Sequence, residues 1–244
     1  KEYQLNPKDF QAINMDGRPV GFVCPSYRGP YWEKTLDLIR IANEVKPFAV
    51  SMVDTYGLCH SDTLLHYMEL LDNGLDPRIE IGYHAHNNFQ LGYANCIEML
   101  SYKTDRNVLV DGTIFGMGKS AGNCPLELIA MYLNGRHGKD YDIYQILEAA
   151  DANVMNFYHK SPWGYSIFFY IAASNDCHPS YVSYLMNKRT LSIKAVNKIL
   201  KRLEGDKKLL YDEKLIEKLY SDYQEIEVND EEDRKRLSGE LQDK

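Results

Sequence analysis

The chain has 244 residues, a formal net charge of −7, and 44% hydrophobic against 26% charged residues, the balance of an ordinary globular chain. That charge excludes a broad nucleic-acid surface, which needs clustered Lys and Arg, and no apolar run reaches the roughly 18 residues of a membrane span. Five scattered cysteines without a Cys-x-x-Cys pair form neither a disulfide framework nor a structural zinc site. With no N-terminal signal pattern, the expected compartment is the cytoplasm.

Residues 1–138 repeat one theme four times: a short apolar strand, a polar loop, then an amphipathic helix. The first unit runs from Val20-Gly21-Phe22-Val23-Cys24 to a helix over Tyr31–Val45. The second opens with Phe48-Ala49-Val50-Ser51-Met52-Val53-Asp54, and its helix follows Ser61 or Asp62, either a good N-cap, and stops near Gly74. The third is Ile79-Glu80-Ile81-Gly82-Tyr83 with a helix ending near Tyr102. The fourth is Val108–Thr113, a glycine-rich loop, and a helix from about Pro125 to Asn134, with Gly135 placed as its C-terminal cap. Strands alternating with helices at this spacing predict βαβ units and a parallel sheet.

After residue 138 the pattern becomes helical. Ile193, Val196, Ile199, Leu200 and Leu203 form one apolar face, with Ser192 as N-cap and Gly205 past the end. Leu215, Ile216, Leu219, Tyr220 and Tyr223 form a second. The organisation expected is thus 1–138, 139–224 and a densely charged tail, 225–244, frayed or disordered.

The most informative run is Gly82-Tyr83-His84-Ala85-His86-Asn87-Asn88 at a strand end. Side chains two apart on a strand share a face, so His84 and His86 aim together. Converging imidazoles suit a first-row divalent ion. Standing alone, the pair is a weak signal, because core or solvated histidines often produce it. A second glycine-rich run, Gly116-Met117-Gly118-Lys119-Ser120, imitates the end of a phosphate-binding loop. The first glycine of that motif belongs at position 113, which is Thr113. These glycines read instead as letting a strand-end loop pass close to a ligand.

Asp54-Thr55-Tyr56-Gly57, the His-Ala-His-Asn-Asn run, and Asp111-Gly112-Thr113-Ile114-Phe115-Gly116-Met117-Gly118 followed by Gly122-Asn123 come in order at unit ends. The series resembles the 3-hydroxy-3-methylglutaryl-CoA lyase-like superfamily of metal-dependent barrels. Gly122-Asn123-Cys124-Pro125-Leu126-Glu127 is most similar to its 4-hydroxy-2-oxovalerate aldolases. The resemblance covers about residues 20–135. It implies a partial (β/α)8 barrel, units five to eight, followed by a helical C-terminal region. No counterpart of the first-strand Asp-Arg-Glu motif is found, so the chain is expected to be the C-terminal part of a longer protein and inactive by itself.

The resemblance implies metal ligation by His84 and His86, with Asn123 ligating or bordering the ion, Mn²⁺ or Mg²⁺ ahead of Zn²⁺. Asn123 reads otherwise as a helix N-cap before Pro125. Asp54 and Thr55 end a strand at the face where barrel active sites sit; Asp54 either orients substrate or binds neighbouring loop amides. Asn88 and Asn95 read as fixing the loop and the helix start. Tyr165, in Trp163-Gly164-Tyr165-Ser166, is either an acid or substrate contact, or a buried aromatic.

The implied reaction is cleavage of a 4-hydroxy-2-oxo acid to pyruvate and an aldehyde, or its reverse. The alternatives are a Claisen-type acyl transferase of the same superfamily and a non-catalytic half-barrel scaffold. The expected partners are a small 2-oxo acid and a second copy pairing through open sheet edges, with no nucleic acid and no membrane.

Overall fold

A computed structural model describes residues 12–13, 19–23, 31–189 and 191–226. Cys24, Thr190 and the charged tail from residue 227 onward lie outside the described residues. By contact the chain divides into two units, one ending at Ser166 and one beginning at Ile167.

The first unit is built on a five-stranded sheet in sequence order: β1 (Ala12–Ile13), β2 (Pro19–Val23), β3 (Ala49–Asp54), β4 (Glu80–Ala85) and β5 (Val108–Asp111). β1 is antiparallel to β2, and β2 through β5 are parallel. A helix follows each parallel strand: α1 (Tyr31–Val45), α2 (Ser61–Gly74), α3 (Gly92–Ser101) and α4 (Leu126–His137). These are the βαβ units that the strand-and-helix alternation predicts, arranged as the partial (β/α)8 barrel that the resemblance implies.

Register decides which side chains meet. Met52 pairs with Tyr83 and Tyr83 with Val110, while Val53 pairs with His84 and His84 with Asp111. Alternation therefore sends Val50, Met52, Ile81, Tyr83 and Ala85 into the core beneath the helices. It leaves His84 and Asp111 on the opposite face. On α2 the buried side is Leu64, Tyr67, Met68 and Leu71, spaced three and four apart as a helix stripe requires. Each such fully buried Leu contributes about 1.5–3 kcal/mol.

Two caps differ from the expected ones. α2 is preceded by His60 as N-cap, without a side-chain capping bond; Asp62, inside the first turn, accepts from the adjacent Thr63 amide at 2.7 Å. α4 runs through Gly135 and stops at Gly138, the residue in the left-handed conformation (φ 61°). The helix end is tied there by paired bonds between Asn134 and the Tyr141 backbone, both 2.8 Å. After α4 the first unit continues through α5 (Ile143–Ala149), a π-turn over Ala150–Val154, and α6 (Met155–Lys160).

The second unit is helical: α7 (Ile167–Ser174), α8 (Pro179–Asn187), α9 (Ile193–Leu200) and a helix, α10, over 213–226. The Ser192 side chain caps α9 by accepting from the Ala195 amide. Val196, Ile199, Leu200, Leu203, Ile216, Tyr220 and Tyr223 are buried together with Tyr181 and Leu185. The Tyr181 hydroxyl lies 2.7 Å from the carbonyls of both Lys207 and Leu210 and accepts from the Asp212 amide at 3.1 Å. No helix among the described residues is long and apolar enough to cross a membrane.

Candidate metal site at the strand ends

The end of β4 carries His84 and, one residue past the strand, His86. Their rings stand edge to face with centroids 5.3 Å apart. His84 Nδ1 lies 3.1 Å from Asp111 Oδ2 on the neighbouring strand. With the proton on Nδ1 toward that carboxylate, the Nε2 lone pair is left for a ligand, the usual outer support of a metal-binding histidine. Burial lowers the His86 imidazole to a pKa of about 4, aided by neighbouring His84, while hydrogen bonding to the Lys119 and Gly122 backbone opposes the shift. His86 is thus neutral near pH 7 and offers a lone pair.

The loop after β5 closes against this strand end. His86 and Asn123 form an antiparallel bridge, and the Asn87 amide donates to the Gly122 carbonyl at 2.9 Å. Gly122 has to be glycine, because it sits at φ +85° and a Cβ would strike the Gly116 carbonyl. Asn123 Nδ2 donates to the Met117 carbonyl at 3.2 Å. Asn123 Oδ1 is buried and has no hydrogen-bond partner among the described residues. Such an orphaned acceptor costs about 1–3 kcal/mol, a cost that an added cation or donor removes. Asn123 is not the N-cap of α4; that position is Pro125.

A divalent cation suits these groups: two imidazoles, one oriented by Asp111, and an unsatisfied amide oxygen. Among the described residues, no group of three or more His, Cys, Asp or Glu side chains is placed to hold a metal. The described donor set is therefore the histidine pair and Asn123.

Asp54 is not brought to the histidines. It shares the Ala85 side of the sheet, opposite His84, and its two carboxylate oxygens accept from the Leu58 and Cys59 amides at 3.0 and 2.9 Å. Burial pushes its carboxyl up to about 6, against the lowering effect of the Cys59, Leu58 and Gly57 amides and of His60. Its carbonyl receives the His86 amide at 3.4 Å, so it shapes the floor of the site through the backbone. Thr55 stands half-buried in the turn after β3.

Asn88 and Asn95 lock the same turn. Asn88 donates to the Tyr56 carbonyl and accepts from the Ala121 amide, and Asn95 donates to the Cys59 carbonyl. Tyr165 is 58% exposed rather than buried. It lines a cavity of about 270 Å³ with Phe115, Asn123, Glu127, Tyr158 and Trp163. The imitation of a phosphate loop ends here: α4 starts at Leu126, not at Lys119-Ser120, so no helix N-terminus lies behind the glycines.

Sequence reasoning gave no role to Asp111, although its place at the end of a strand adjoining the histidine strand was available. It also missed Glu127 and Trp163, whose partners are backbone groups of the glycine-rich loop and leave no mark in residue spacing.

Four parallel βα units with polar groups gathered at the C-terminal strand ends match part of a (β/α)8 barrel, at the end where barrel active sites lie. The family model HMGL-like matches residues 8–152, and the chain belongs to that family. It is 32% identical over 127 residues to a Mycobacterium tuberculosis oxaloacetate decarboxylase, covering 52% of this chain and 35% of that protein. It is 30% identical over 153 residues to a Thermus thermophilus 4-hydroxy-2-oxovalerate aldolase, covering 62% and 43%. The chain thus spans about a third to two fifths of these relatives. In fold it is similar to the N-terminal domain of a candidate aldolase from Bacteroides vulgatus (TM-score 0.61, 24% identity, 75% of this chain and 58% of that one).

Proposed function

We propose that the protein is a divalent-metal carbon–carbon lyase acting on a 4-hydroxy-2-oxo acid, releasing pyruvate and an aldehyde or running the reverse addition. The observation that carries this reading is the strand-end pair His84 and His86 beside the unsatisfied Oδ1 of Asn123. The names of the relatives support the substrate class. A bound Mn²⁺ or Mg²⁺ supplies Lewis-acid stabilisation of the charge that develops on a 2-oxo oxygen as the carbon–carbon bond breaks.

The chain's own groups do the rest. His84 and His86 donate lone pairs from fixed ring orientations, one set by Asp111 and the other by the loop backbone. Asn123 presents an oxygen already stripped of water. Asp54 holds the turn beneath them. Tyr165, which lines the adjoining cavity, is the candidate acid or substrate contact.

Decarboxylation of oxaloacetate is the second reading, favoured by the similarity to a decarboxylase over half of the chain. It also yields pyruvate and requires the same charge stabilisation, so the two differ only in the leaving group. The test is Mn²⁺-dependent pyruvate release by the intact protein from 4-hydroxy-2-oxovalerate and, separately, from oxaloacetate. Loss of release in both His84→Ala and His86→Ala is expected. Undiminished release in both variants would remove the mechanism, and release from oxaloacetate alone would favour the second reading.

A further inference from the structure

Phe115 is held in an unusual backbone conformation beside the site. It adopts φ 55° and ψ 28° inside the short 3₁₀ turn Ile114–Gly116, a left-handed conformation that an aromatic residue enters only at a cost. Both of its backbone polar groups are held. Its amide donates to Glu127 Oε2 at 3.0 Å, and its carbonyl accepts from the Trp163 indole Nε1 at 2.8 Å. Its ring packs edge to face on Trp163 and Tyr158, with centroids 6.0 and 5.0 Å away.

The two residues after Phe115 connect it directly to the candidate ligand. The Gly116 carbonyl accepts from the Asn123 amide at 3.0 Å, and the Met117 carbonyl accepts from Asn123 Nδ2. Trp163 also closes over Gly122, its Cδ1 lying 3.2 Å from where a Cβ would stand. Releasing Phe115 would let it relax to negative φ, rotate the Gly116 and Met117 carbonyls, and free the Asn123 amide to turn.

We propose that Glu127 and Trp163 are positioning residues: together they clamp Phe115 in its left-handed conformation and so fix the side-chain amide of Asn123 beside His86. This rests on the metal-site reading above and adds to it two residues that act through the Phe115 backbone rather than as ligands. Trp163 lies beyond the segment matched by the family model, whereas Glu127 lies within it.

The test compares Trp163→Phe, Glu127→Ala and Glu127→Gln with the wild-type chain, using backbone amide hydrogen exchange and calorimetric titration of Mn²⁺. Trp163→Phe keeps a ring and loses the indole donor. Glu127→Gln keeps an acceptor for the Phe115 amide and serves as the conservative rescue. The expected result is faster exchange at Gly116 and Asn123 in Trp163→Phe and Glu127→Ala, with unchanged exchange in β3 and β4. Mn²⁺ affinity should fall about tenfold in those two variants, the usual scale for an outer support of a ligand, with Glu127→Gln near wild type.

Unaltered exchange at Gly116 and Asn123 would overturn the clamp. Faster exchange with undiminished Mn²⁺ affinity would overturn its role in positioning Asn123. If the wild-type chain binds no Mn²⁺, the metal reading itself falls, and the exchange data alone then decide whether the clamp exists.

Discussion

Removing the Asp111 carboxylate separates orientation of a ligand from stability of the fold. Asp111 meets His84 at 3.1 Å across adjacent strands, with side chains 50% and 26% exposed. A pair that open to water contributes about 0–1 kcal/mol to folding, so Asp111→Ala should leave the urea midpoint almost unmoved. Its effect on a bound ion should be larger. Without an acceptor on Nδ1 the imidazole loses its fixed tautomer and orientation, and such losses weaken metal affinity by about 10–100-fold, or about 1.4–2.7 kcal/mol. Asp111→Asn retains an acceptor oxygen and should fall between wild type and Ala. Calorimetric titration of Mn²⁺ beside urea unfolding reads both quantities on the same samples. Unchanged affinity in Asp111→Ala would refute the orienting role, and so would a loss of affinity matched by an equal loss of stability.

Two further predictions concern the groups that hold the barrel units together. Arg106, only 7% exposed, bonds the Asp72 carboxylate and the carbonyls of Asp72, Leu75, Asp76 and Ile79 at 2.6–2.9 Å. Arg106→Ala should cost about 3–5 kcal/mol in urea unfolding, the scale for breaking a buried ion pair, and a loss below about 1 kcal/mol would contradict that assignment. Asp54 is raised from 3.8 to about 6 in the folded chain, so the folded state binds more protons than the unfolded one between those values. Its contribution should therefore be greatest at the acid end and fall by about 3 kcal/mol as pH rises through that window. Asp54→Asn should lack that slope in unfolding free energies measured from pH 3.5 to 7; an identical slope in the variant would refute it.

The repeating strands and helices were legible from local pattern: a short apolar run in Ala49–Asp54, buried on both faces of the sheet, and three-four spacing in α2. The histidine pair was legible for the same reason, since two residues apart on a strand means one face. What could not be read is whatever depends on register between strands or on closure of a loop. Asp54 and His84 both stand near strand ends, yet the one-residue offset between Val53 and Asp54 places them on opposite faces. Asp111 reaches His84 from 27 positions away only because β5 adds beside β4 in that register.

The loop after β5 hides more. Phe115 is not a residue whose type suggests positive φ, and Asn123 looks from sequence like an ordinary cap. Only the folded loop shows that its amide oxygen has been left without a partner. By sequence Gly135 reads as the stop of α4. The folded chain instead stops the helix at Gly138, where the Asn134 side chain bonds the Tyr141 backbone.

The most direct measurement is pulsed electron paramagnetic resonance of Mn²⁺ bound to the chain, reading the nitrogen nuclei coupled to the ion. The account predicts two histidine nitrogens in the wild type, one in His84→Ala and one in His86→Ala, and none in the double variant. Bound Mn²⁺ with no coupled histidine nitrogen in the wild type would contradict it, because the ion would then sit elsewhere and the strand-end pair would hold no metal.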